Sequence, residues 1–171
     1  MFLELIATFA IGFLAAGLVL LANLLTGRRL SRAFVPLAAG AAMIGFTIWS
    51  EYSWYPRTKA QLPEGVLIVS TNESQALYRP WTYAAPFVDK FAAVDLARVL
   101  RNEKLPDQIL VPMLFMGRWA PGAEIPVVVD CGGSRRAKLA DGTEFDDTGA
   151  VLNADWVSVE ADDPLLEAVC T

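Results

Sequence analysis

Two stretches without a single charged residue, 5–27 and 33–50, constrain this chain more than anything else in it. As helices at 1.5 Å per residue they would span about 34 Å and about 27 Å, against a bilayer hydrocarbon core of about 30 Å. Both are apolar all round, and two such helices need either lipid or a large protein to cover them. About 120 further residues are too few to do that. The first run does not read as a cleaved signal peptide, because it is too long and Glu4, not a base, precedes it. The sequence therefore predicts a transmembrane helical hairpin over 1–51, with helices at about 2–25 and 33–51.

The loop 27–32 carries Arg28, Arg29 and Arg32 and no acid. Basic residues beside helix ends stay in the cytoplasm, so this turn is expected inside and both termini outside. Arg57 and Lys59, beyond the second helix, oppose this only weakly. Trp49, Tyr52, Trp54 and Tyr55 cluster where the second helix should leave the hydrocarbon, and such rings favour the headgroup layer. Gly12 and Ala16, Ala38 and Ala42, and Ala41 and Gly45 place small residues four apart, a spacing that lets helices approach closely.

A connector over 52–65 follows, in which Pro56 and Pro63 limit helix continuation. The rest, 66–171, reads as a β-rich, mainly antiparallel domain, so the fold class is a membrane-anchored α+β chain. Strands are expected at 66–69, at 109–116 with Pro112 marking an edge or bulge, and at 125–129. A return strand at 137–139 after Gly132-Gly133 makes 125–140 a hairpin, and 156–159 is a further half-buried strand. Behind Asp162-Asp163-Pro164, residues 165–169 read as a short capped helix or an irregular tail. The stretch 87–102 fits helix or strand, and the reading favoured is a strand first and a helix over 94–102. Met113 and Met116 read as core.

Histidine is absent from the 171 residues. That removes Ser-His-Asp and Cys-His catalysis and His-held zinc or haem. Residues 52–171 carry eleven bases and seventeen acids, so nucleic acid is not an expected partner. Asp141, Glu144, Asp146 and Asp147 crowd together and are weak candidates for calcium or for an acid/base pair. Their spacing does not fit an EF-hand loop, and a solvated turn is the simpler reading. Asn72-Glu73-Ser74 matches a glycosylation sequon, a pattern met often by chance. No cofactor is implied. The two cysteines, Cys131 and Cys170, would be thiols in the cytoplasm, whereas an even count in a small external domain suggests a disulfide.

From Asp130-Cys131 through Arg136-Ala137, Phe145-Asp146-Asp147-Thr148-Gly149 and Trp156 to Cys170, the chain resembles small bacterial cell-envelope domains of the surface-adhesin protein E-like kind. The resemblance implies an antiparallel β domain, a Cys131–Cys170 disulfide and an extracytoplasmic location. Together these features lead to the expectation of a non-enzymatic protein of the bacterial inner membrane, an accessory or interaction subunit whose partners are the bilayer and other envelope proteins. An alternative is a ligand-binding module with a pocket lined by Trp81, Tyr83, Phe87, Trp119 and Trp156. A carboxylate- or metal-dependent enzyme is the remaining one.

Overall fold

The computed structural model describes residues 2–139, 142–160 and 162–170. The chain divides into two units, Met1–Arg57 and Thr58–Thr171.

In the first unit, α1 (Phe2–Leu25) and α2 (Phe34–Ala60) are both long and apolar enough to cross a membrane. Gly12 is the one buried residue of α1, packed against Met43 of α2. At the open end of the hairpin the Ser50 hydroxyl donates to Glu4 Oε1 at 2.9 Å. At the turn, α1 ends in a Schellman motif. Gly27 takes φ +73°, its N–H donates to Leu24 O, and Arg28 N–H reaches back to Asn23 O. The Asn23 side chain then accepts from Leu30 N–H at 2.9 Å. The large apolar side chains of both helices face outward; Phe13 is 76% exposed. That pattern suits lipid and not water.

The second helix corrects an expectation. It does not stop near Glu51 but runs on through Pro56 to Ala60. A proline forfeits one donor and crowds one carbonyl. That is tolerated near a helix end, and the chain leaves the helix only before Pro63.

The second unit is an antiparallel half-barrel. Its strands are β1 (Val66–Ser74), β2 (Phe87–Asp95), β3 (Leu100–Asn102), β4 (Leu105–Gly117), β5 (Ala123–Asp130), β6 (Arg135–Lys138) and β7 (Val157–Ser158). They lie in the order β1-β2-β4-β5-β6-β7, with β3 alongside the first part of β4. A single turn of helix, α3 (Trp81–Ala84), lies between β1 and β2, and α4 (Pro164–Cys170) follows β7. The hairpin expected over 125–140 is present as β5 and β6. The capped helix is also present: Asp163 Oδ1 accepts from Leu165 N–H at 2.9 Å, with Pro164 in the first turn.

The helix expected over 94–102 is absent. β2 continues to Asp95, one 3₁₀ turn follows at Leu96–Arg98, and β3 then pairs Leu100 and Arg101 with Leu110 and Ile109. The detour explains Pro112, which sits inside β4 and not at a sheet edge. It faces Pro126 across the β4–β5 ladder, at a position where neither residue donates. On its other flank, β3 pairing ends at Leu110 and β2 pairing begins at Met113. The donor that proline lacks falls in that gap.

Candidate functional site

Residues opposed across an antiparallel ladder share a face of the sheet. β1 sets Ser70 against Ala92 and Asn72 against Lys90. β2 sets Lys90, Ala92 and Val94 against Gly117, Phe115 and Met113. The same face continues through Val127 and Val129 of β5 to Lys138 and Arg136 of β6 and Val157 of β7. It is one surface, apolar along its middle.

α4 packs on one part of that surface. Val94, Ile109, Val111 and Val129 lie in one buried cluster with Leu165, Leu166 and Val169 of α4. The Cys131–Cys170 disulfide fastens the end of α4 to the chain leaving β5, with Cα atoms 5.8 Å apart. Arg101 Nη2 donates to Val169 O at 2.8 Å and holds the same helix from β3. Beyond α4 the face is hollowed over Ala92, Met113 and Val127, which belong to the same buried cluster. A cleft of about 410 Å³ lies over Ser70, Lys90, Ala92 and Phe115. A second hollow, of about 310 Å³, lies over Met113, Val127, Lys138 and Val157. Ser70, Ala92 and Phe115 border both, so the two adjoin along one trough-like stretch of the face. The β4–β5 loop adds Ala120 and Pro121 to its wall. That loop is pinned where Arg118 N–H donates to Asp89 O at 2.7 Å.

Among the described residues, Lys90 is the only charged one in the lining of the larger cleft. Among the described residues it has no carboxylate partner. Farther along the trough, Arg136 is shared with Asp163 at 3.6 Å, and Lys138 and Asp155 share a wall. Chemically this is an apolar floor with hydroxyl, amide and ammonium groups at one end and Arg136, Lys138 and Asp155 at the other. It resembles a binding surface more than a reaction centre.

The residues singled out from sequence fall elsewhere. Trp81, Tyr83 and Trp119 are exposed, Phe87 is buried, and Trp156 lies beneath Arg135, whose guanidinium is 4.6 Å from the ring centre. None of the five lines the trough. Trp49, Tyr52, Trp54 and Tyr55 all lie on α2, and Arg57 stands 5.3 Å from the Trp49 ring. Arg28, Arg29 and Arg32 are exposed in the turn between α1 and α2. Met113 is core, whereas Met116 is half-buried at the cleft wall. Asn72 is committed to β1, and its amide donates to Asp89 Oδ1 at 3.0 Å.

Of the acidic group, Asp141 lies outside the described residues. Asp146 turns inward on its own loop, accepting from Thr148 Oγ1 at 2.6 Å and from the N–H groups of Thr148 and Ala150 at 2.8 Å. The Thr148 hydroxyl, with those amides, holds its carboxyl below the usual aspartate range. Glu144 and Asp147 are exposed, and among the described residues no three potential ligands converge. The loop instead covers a hollow of about 190 Å³ on the sheet, with Phe145 and Val151 paired over Gln108.

No protein-family model matches this chain, and neither a curated protein nor a solved structure does.

Proposed function

We propose that this chain is a non-enzymatic envelope protein that acts by binding. The hairpin anchors it in the bacterial cytoplasmic membrane, with the Arg28–Arg29–Arg32 turn on the cytoplasmic side. The half-barrel stands outside, where an oxidising compartment suits the Cys131–Cys170 bond. In this reading it is an accessory subunit that presents its trough to a partner molecule. The likeness of its last segment to surface-adhesin protein E-like domains fits the same location.

One observation carries the reading: beyond the part of the sheet's inner face that α4 packs on, two adjoining hollows with a mainly apolar floor lie over the face. Phe115, 39% exposed, stands where the two hollows meet. A photo-crosslinking residue introduced at Phe115 in intact cells tests it. A discrete adduct from that position, absent when the same residue replaces the exposed Leu152, is the expected outcome. Identical behaviour at both positions would remove the reason for the reading.

A further inference from the structure

We infer that the trough takes an amphiphile with one long acyl chain and an anionic head, the head at Lys90 and the chain lying over Ala92 and Phe115 toward Met113 and Val127. The inference rests on the binding role proposed above and gives that role a ligand class. Three observations converge on it. The first is shape. The linings pass from Lys90 and Gly117 to Ala92 and Phe115 and on to Met113, Val127 and Val157, so the two adjoining hollows extend across the face from β2 toward β7. The larger one alone falls within the roughly 300–1,000 Å³ of small-molecule sites.

The second is polarity. Beyond the row of Lys90, Asn72 and Ser70 the floor is Ala92, Phe115, Met113 and Val127, an alkyl and aromatic stretch that favours a methylene chain before the charged wall of Arg136, Lys138 and Asp155 is reached. The third is charge. Residues 52–171 carry six more acids than bases, yet the lone charge lining the larger cleft is an ammonium without a carboxylate partner among the described residues. A carboxylate or phosphate head answers that charge; a cationic or neutral head does not. Two sources share this chemistry, a free fatty acid and a lysophospholipid.

The test uses the full chain in nanodiscs of zwitterionic lipid. Three probes carry the same diazirine-bearing chain: a fatty acid, a lysophospholipid with a phosphate head, and a fatty alcohol. Labelled peptides are located by mass spectrometry. Labelling of 105–130 by either anionic probe, at least about fivefold above the alcohol, is the expected result, and which of the two labels identifies the head. Lys90→Glu lowers it about tenfold and Lys90→Arg keeps it, since only the sign of the charge distinguishes them. Ser70→Trp fills the junction of the two hollows from an exposed strand position and abolishes it. Equal labelling by the alcohol would overturn the ligand class and leave the binding role standing. So would an adduct from Phe115 that is a protein, with no trough labelling by any probe. Labelling that survives Ser70→Trp would place the probe outside the trough and overturn the inference as well.

Discussion

Arg98 shows how single side chains hold the detour that sequence reading missed. Its Nε donates to Asp95 Oδ2 at 2.6 Å, and its two terminal nitrogens donate to both oxygens of Glu124 at 3.0 and 2.8 Å. The fork ties the 3₁₀ turn after β2 to the start of β5. Asp95 in addition accepts from Ala97 N–H at 3.0 Å. The hydrogen bond from Arg98 is the main reason the Asp95 carboxyl sits below the usual aspartate range. The sign of the pH effect follows. A depressed carboxylate contributes stability that is fully present above its unfolded value, about 3.9, and is lost as pH falls through the folded one. The difference in denaturant midpoint between the wild type and Arg98→Ala should therefore be constant at neutral pH and narrow below about pH 4. Tryptophan fluorescence in urea across that range measures it. A difference that persists unchanged into acid would mean that Asp95 does not sense Arg98.

At the scale of elements, the sequence exposes what is periodic and local and conceals what depends on pairing. Helix α1 has the limits that an uncharged run implies, and β4, β5 and β6 lie where β-branched residues bounded by turn formers place them. The segment 94–102 was not legible. Leu96, Ala97 and Leu100 are sound helix formers, yet pairing of Leu100 and Arg101 with β4 offers backbone partners that a lone exposed helix turn would not. The trough was equally hidden. Alternation in 109–116 reveals two faces but not which part of one face α4 packs on, because that depends on the disulfide and on Leu165, Leu166 and Val169 meeting residues far away in sequence. The aromatic residues drew attention for their size, whereas the site is made of Ser70, Lys90, Ala92 and Phe115, none conspicuous alone. In the hairpin, the small-residue spacing is legible but its meaning is only partly so. A Cβ on Gly12 would collide with Met43, whereas one on Gly45 would meet nothing. Gly12→Leu should consequently push α1 from α2, and Gly45→Leu should not. With cysteines introduced at Glu4 and Ser50, the oxidised cross-link should form in the parent and in the Gly45→Leu form but drop several-fold with Gly12→Leu. Equal cross-linking in all three would show that Gly12 does not set the approach.

For the molecule as a whole, the bond between Cys131 and Cys170 joins the questions of stability, shape and side. It closes a span of 39 residues, worth about 4 kcal/mol in chain-entropy terms, when small domains have only about 5–15 kcal/mol to lose. Its consequences are unequal across the domain. β4 and β5 pair from Gln108–Asp130 to Phe115–Ala123 without it, but α4 is seven residues long and depends on tertiary contacts. Replacing both cysteines by serine should then lower stability by about 4 kcal/mol in urea and also loosen α4. Val94, Ile109, Val111 and Val129 would be uncovered and a dye that binds exposed apolar surface would be recruited. In the parent, a membrane-impermeant maleimide applied to intact spheroplasts should label neither cysteine before reduction and both after it, because the bond must open first and the domain must face the reagent. Labelling without reductant would deny the bond. Labelling that needs lysis even after reduction would put the half-barrel in the cytoplasm, where such a bond would not persist. Reversing the Arg28, Arg29 and Arg32 charges should separate topology from folding. If the turn sets orientation, the external signal falls in that variant while the purified domain keeps its urea midpoint, since none of the three arginines belongs to the unit that holds the disulfide.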